Sequence, residues 1–168
     1  MEFKIRRAVP EDAPFIGLVQ VESWRRTYAG ILPEPYLAAL DDEESAVKWK
    51  QFIEAGRMFV FVAEDPWGIF GFISGGELRD RIEAYDAELY AIYLMPANQR
   101  HGVGKQMAQA LTEALLMEGF SSMIVWVLER NLPAVSFYKR LGGIQIAHKT
   151  IVIGGTVLSE LAFGWPVL

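Results

Sequence analysis

The stretch that most constrains this chain is Glu88 to Lys105, read as ELYAIYLMPANQRHGVGK. A strand-like apolar run leads to a bend at Pro96, and Gln99, Arg100, His101, Gly102, Val103 and Gly104 then open an amphipathic helix. From Gly104 to Glu118 the apolar residues Met107, Ala108, Leu111 and Leu115 fall on one helical face, which puts the glycines at or just before a helix N-terminus. The first four amides of a helix lack internal acceptors, and the macrodipole adds partial positive charge, so this point is ready to take an anion. Glycines at 102 and 104 leave the backbone open to a phosphate, because no Cβ stands in the way.

Spacing separates the phosphate-binding loops that such a terminus could form. A Walker A loop needs Gly six positions before the Lys of its Gly-Lys and Ser or Thr after that Lys, but Gln stands at both 99 and 106. A Rossmann fingerprint needs a third small residue where this chain has Met107. The remaining pattern, Gln-Arg-x-Gly-x-Gly after a strand ending in Met-Pro, resembles the pyrophosphate loop of the GNAT N-acetyltransferases. The resemblance continues in Glu129-Arg130-Asn131-Leu132-Pro133-Ala134-Val135-Ser136-Phe137-Tyr138-Lys139-Arg140-Leu141-Gly142-Gly143, which is similar to the family's second signature. There an Asn precedes a helix that carries Phe-Tyr and ends in Leu-Gly.

The resemblance implies an α/β fold: one domain over residues 1–168, with a central twisted mixed sheet of about seven strands and four or five flanking helices. It implies acetyl-CoA as cofactor. Backbone groups of Ile92, Tyr93 and Leu94 would pair with the pantetheine arm in a splay opened by a bulge in the fourth strand. The loop Gln99, Arg100, His101, Gly102, Val103, Gly104 and Lys105 would hold the pyrophosphate, and Asn131 would hydrogen-bond the cofactor arm. Tyr138 would lie near the thioester sulfur, and the first two helices, with Trp24 and Tyr28, would wall the acceptor site.

The implied chemistry suits these residue types. An alkylammonium with a pKa of about 10.4 is neutral in only about one part in 2,500 at pH 7, so attack on a thioester needs a base or a desolvating site. Glu88, at the start of the strand, is the candidate base, acting through water, and Tyr138 is the candidate acid for the leaving thiolate. A strand amide can hold the oxyanion. Three acceptor readings stay open: a polyamine or other cationic small molecule, a peptide or protein amine, and no acceptor at all in a non-catalytic acetyl-CoA-binding regulator. Glu77, Asp80, Glu83, Asp86 and Glu88 form an acidic run that would favour a cationic amine if it faced the cleft, although Arg79 and Arg81 interrupt it.

Composition narrows the partners. A net charge of −5 argues against nucleic acid, the absence of cysteine removes thiolate chemistry, and two histidines, His101 and His148, make a metal site poorly supported. No apolar run is long enough for a bilayer, so a cytoplasmic protein without membrane contact is expected.

Along the rest of the chain, residues 3–7 alternate as a strand, and Pro10, Glu11 and Asp12 open a helix whose buried stripe is expected to be Phe15, Ile16, Val19 and Trp24. Helices are expected over 34–40 and 42–54, and a hairpin over 57–64 and 69–75 about Asp65-Pro66-Trp67-Gly68. Residues 76–87 read as an exposed loop and 122–128 as a strand parallel to that from Glu88. Gly154-Gly155 joins a last hairpin, and Phe163-Gly164-Trp165-Pro166 is a candidate surface for a homodimer.

Overall fold

Seven strands pair into one sheet whose apolar faces only a neighbouring layer can cover; the central strands Gly68–Glu77 and Met123–Leu128 are buried nearly throughout and show no alternation. The structure, a computed structural model, describes all of residues 1–168. Its elements are β1 (Lys4–Arg7), α1 (Ala13–Thr27), α2 (Glu34–Ala38), α3 (Asp42–Ala55), β2 (Met58–Asp65), β3 (Gly68–Glu77) and β4 (Ala87–Leu94). After them come α4 (Val103–Met117), β5 (Met123–Leu128), α5 (Leu132–Arg140), β6 (Ile144–Ile153) and β7 (Thr156–Trp165). The sheet order is β1-β2-β3-β4-β5-β7-β6, and β4–β5 is its one parallel pair. The expected βαβ unit is therefore β4-α4-β5.

Local chemistry sets the boundaries. The Asp65 side chain accepts from the amides of Trp67 and Gly68 and so folds the β2–β3 turn. Asp41 caps α3 by accepting from the amides of Glu43 and Glu44. Gly154 and Gly155 both take left-handed backbone, φ 57° and 80°, as a tight β6–β7 turn requires.

Two layers of helix cover the sheet. On one face Met107, Leu111 and Leu115 of α4 and Val135 and Tyr138 of α5 pack on Leu89, Val125, Val127 and Phe163. Each fully buried Leu there contributes about 1.5–3 kcal/mol, which fixes α4 on the sheet and with it the position of its amide end. On the other face Ile16 and Val19 of α1 and Trp49 of α3 pack on Val60, Val62 and Phe72. A third cluster, Tyr28, Leu32, Leu37, Leu128 and Leu158, ties the α1–α2 region to the far half of the sheet.

Three expectations are corrected. Phe15 is 53% exposed, because Gly17 rather than an aromatic side chain makes the close α1–α3 contact: a Cβ at 17 would sit 2.8 Å from the Ala46 amide. The segment 76–87 is not a simple solvated loop, since Gly76 and Glu77 extend β3 and Ala87 is buried as the first residue of β4. The stretch Phe163 to Trp165 is internal. Phe163 is fully buried, Gly164 lies under the Tyr85 ring, and the Trp165 indole N–H donates to the Leu141 carbonyl at 3.0 Å. The aromatic groups meant for a second subunit are used within the domain.

Candidate active site

The site begins where the sheet comes apart. In the β3–β4 ladder Ser74 pairs with Ala91 and Gly75 with Leu89, so Tyr90 is an extra residue and β4 bulges there. Parallel pairing with β5 runs from Ala87↔Met123 to Leu89↔Val125 and then stops, although the strands continue to Leu94 and Leu128. The opening is the floor of a cleft of about 1120 Å³ that passes between the strands from the α4–α5 face to the α1 face.

Alternation along β4 decides which backbone groups face that opening. The Met95 amide donates to the Phe70 carbonyl on β3, so Tyr93 also turns its amide toward β3, while Ile92 and Leu94 turn theirs toward the gap. The Leu94 carbonyl already accepts from the Gln99 side chain at 3.1 Å. Tyr93 is thus corrected as a backbone contact. It enters the cleft through its hydroxyl, which lies 3.3 Å from that of Tyr28.

At the α4 end the chain winds through left-handed backbone twice, at Arg100 (φ 65°) and Gly102 (φ 78°). The amides of Val103, Gly104 and Lys105 have no acceptor within the chain, and the first α4 bond is that from Gln106 to the Gly102 carbonyl. These free donors, with Arg100 and Lys105 beside them, form a cradle for an anion. The two glycines serve it differently. Around Gly102 a Cβ would meet nothing within 4 Å, so its φ is what glycine supplies; at Gly104 a Cβ would sit 3.2 Å from the Phe137 ring, so α4 and α5 close there. His101 is exposed and does not line the cleft, and the Val103 side chain is in the core with only its amide at the cradle.

The N-terminus of α5 faces the same opening. Asn131 caps the helix by accepting from the Ala134 amide at 3.4 Å, which leaves its side-chain NH₂ on the cleft wall beside Tyr28. About two helical turns further on, Tyr138 is 5% exposed against Phe163 and Trp165, and nothing in the chain hydrogen-bonds its hydroxyl. Burial pushes this phenol well above its ordinary value, and the nearby Tyr28 adds to the effect. It stays protonated at neutral pH. Burial likewise raises Tyr28, against the opposing hydrogen bond of Tyr93.

Glu88 differs from its expected setting. It is 1% exposed on the α1 face, and its carboxylate accepts from the Arg79 amide and the Arg79 Nε, both at 3.0 Å, and from the Arg79 Nη2. Burial alone would depress Arg79, but the hydrogen bonds and field of Glu88 outweigh it and raise the guanidinium. Arg79, not Glu88, lines the cleft, where it also stacks 5.1 Å from the Tyr90 ring. The acidic run does not form a patch: Asp86 is bound by the amides and hydroxyls of Ser121 and Ser122, and Asp80 lies 3.9 Å from Lys149.

On the α1 face Trp24 and Tyr28 line the cleft as expected, with their rings edge to face at 4.8 Å. The Trp24 indole N–H is buried there without a partner. Sequence reasoning missed Arg79, Trp126 and Glu160, which reach the cleft from the β3–β4 loop, β5 and β7. For Glu160 the signal was a carboxylate between Leu158 and Ala162 on a strand face that is otherwise apolar.

Known proteins carry the same architecture. The sequence profile described as the acetyltransferase (GNAT) family matches residues 21–143. An uncharacterized N-acetyltransferase, YuaI of Bacillus subtilis, is 44% identical over 165 residues, which cover 98% of this chain and 93% of that protein. The spermidine N(1)-acetyltransferase of Thermoplasma acidophilum is 30% identical over 149 residues, covering 84% and 88%. The crystal structure of the PaiA N-acetyltransferase of Thermoplasma acidophilum in complex with coenzyme A superposes with a TM-score of 0.74 at 26% identity, over 95% of this chain and 98% of that one. With a splayed β4–β5 pair, an amide cradle at α4 and a matching profile over most of its length, the chain belongs to the acetyltransferase (GNAT) family of acetyl-CoA-dependent enzymes.

Proposed function

We propose that this enzyme moves the acetyl group of acetyl-CoA to the primary amine of a small cationic acceptor by direct attack. The observation that carries the reading is the through-sheet cleft: an anion cradle and Tyr138 on the α4–α5 side, and an aromatic wall with a carboxylate on the α1 side. The pyrophosphate takes the amides of Val103, Gly104 and Lys105. The pantetheine arm runs along Ile92 and Leu94 in place of the missing β5 pairing, with Asn131 opposite, and brings the thioester to the bulge. A gap-facing β4 amide receives the oxyanion, and Tyr138 protonates the departing thiolate. Glu88 acts in this reading by holding Arg79 at the cleft rim, since its own oxygens already accept three N–H bonds. A polyamine is the favoured acceptor class, supported by the likeness to a spermidine acetyltransferase. A peptide or protein amine is the second reading, favoured by the size of the cleft, about 1120 Å³.

The test is thiol release from acetyl-CoA with spermidine, an aminoglycoside, a basic N-terminal peptide and a neutral amino acid. Turnover is expected with spermidine above the peptide. Tight acetyl-CoA binding with no turnover on any amine would leave the non-catalytic reading in its place.

A further inference from the structure

Among the residues that line the cleft there is one carboxylate, and it comes from neither signature of the family. Glu160 sits on β7 opposite Leu128, on the strand face whose Leu158 packs against Tyr28. That face looks toward α1. The side chain is 17% exposed and lines the cleft, and it accepts no hydrogen bond: its sole ion-pair partner, Lys149 on β6, stands at 3.9 Å and is itself drawn over the Trp126 ring at 4.1 Å. A largely buried carboxylate with one long ion pair and no hydrogen bond keeps its acceptor capacity for a further donor in the cleft.

Resting on the acetyltransferase reading above, we infer that Glu160 is the residue that receives the acceptor ammonium and takes its proton before attack. Glu88 cannot do so without first releasing Arg79. The charged and titratable groups around Glu160 are Lys149 from β6, Arg79 from the β3–β4 loop, Glu88 from β4 and Tyr28 from the C-terminal cap of α1. Burial outweighs the two cations and raises Glu160 above the ordinary 4.5, which narrows the gap to an amine and makes the carboxylate a better base.

The protons balance as follows. Glu160 takes one proton from R–NH₃⁺ and becomes the neutral acid. The amine lone pair forms the C–N bond at the thioester carbonyl. On collapse the C–S bond breaks, its electron pair leaves on sulfur, and Tyr138 protonates the thiolate. The tetrahedral nitrogen gives its second proton to restore the Tyr138 phenol. Glu160 then releases its proton to solvent, so acetylamide, free thiol and one H⁺ result.

The experiment is the pH profile of kcat/KM for spermidine and for the basic N-terminal peptide in the wild type, Glu160→Gln, Glu160→Asp and Glu88→Gln, with acetyl-CoA affinity measured by calorimetry on each. Wild type should show an acidic limb, rising as Glu160 ionises, at a pH above 4.5. Glu160→Gln should lower kcat/KM by about 10²-fold or more, lose that limb and bind acetyl-CoA as the wild type does. Glu160→Asp should keep a limb at reduced rate, and so decides the matter should the Gln variant fail to fold. Glu88→Gln should retain the limb. A Glu160→Gln enzyme within threefold of wild type with the limb intact, or a limb lost in Glu88→Gln instead, overturns the assignment. Wild type that binds acetyl-CoA and acetylates no amine overturns the acetyltransferase reading itself, and the role of Glu160 with it.

Discussion

In the proposed reading the cleft has two halves, one for the cofactor and one for the acceptor, built on opposite plans. Its cofactor half comes from two continuous segments, residues 92–105 and 131–138, in which a strand end, a glycine loop and a helix N-terminus follow one another along the chain. Its acceptor half is assembled from α1, the β3–β4 loop, β5 and β7, so that Trp24, Arg79, Trp126 and Glu160 meet across more than a hundred residues of sequence. Backbone groups dominate the first half and side chains the second. A backbone cradle tolerates few side-chain choices but needs a special conformation, whereas a side-chain wall can be rewritten one residue at a time.

The largest effect is expected at the junction of the halves. Tyr138→Phe should lower kcat by about 10²-fold, with acetyl-CoA affinity nearly unchanged, because the ring packing against Phe163 and Trp165 survives and only the proposed proton donor is lost. Steady-state kinetics beside calorimetry separates the two. A loss within a factor of two would make Tyr138 a packing residue and water the acid.

The second prediction sharpens the account of the cofactor half by setting its two glycines against each other. Gly104→Val must displace the Phe137 ring, 3.2 Å from the new Cβ, and should cost about 1–3 kcal/mol of stability in denaturant unfolding. Gly102→Ala meets no atom but must hold φ 78°, a strain of about 1 kcal/mol that should appear as weaker acetyl-CoA binding when the loop relaxes. Equal effects of the two variants on stability and affinity would remove the distinction between packing and conformation.

Those plans also explain what could be read in advance. The chain order of strands and helices, the β4-α4-β5 unit, the start of α4 at the glycines and the Gly154-Gly155 turn were all legible, because each element rests on periodicity and turn signals within its own stretch of chain. Phe15 misled because periodicity fixes a stripe only to within a neighbouring position, and the small residue Gly17 took the contact with α3. Arg79 and Glu160 were not legible as cleft residues. Their placement depends on which strands become neighbours, and β7 inserts between β5 and β6 only in the folded sheet. Glu88 was found as a residue and misjudged in its surroundings, since its partner Arg79 lies across a loop whose path no local rule specifies.

A smaller effect should come from Asp86, which ties the start of β4 to the start of β5 beside the closed end of the splay. Burial would raise its carboxyl, but the hydrogen bonds from Ser122 and Ser121 outweigh this and lower it below 3.8. A depressed native value means that its stabilisation is present above the unfolded value and is lost as pH falls through the native one. The unfolding free energy should therefore decline below about pH 4, and Asp86→Asn should flatten that decline while costing about 1 kcal/mol at neutral pH. Urea melts of both proteins at stepped pH check the slope. An unchanged acid slope would mean that Asp86 does not hold the closed end.

The smallest effect is expected where the sequence looked most suggestive. Glu77 and Glu83 are exposed, and with Asp80 they form the solvated remainder of the acidic run once Asp86 and Glu88 are bound to Ser122 and Arg79. None of the three lines the cleft. Exposed charges beyond a Debye length of about 8 Å at physiological ionic strength are largely screened, so they can steer a cation only weakly. The double variant Glu77→Gln/Glu83→Gln should leave kcat/KM for spermidine within a factor of two at 0.15 M salt, and the ratio of variant to wild type should move toward the wild type as salt rises. A tenfold loss confined to low salt would restore the loop as a steering element. The acceptor half would then owe its charge preference to the β3–β4 loop as well as to β7.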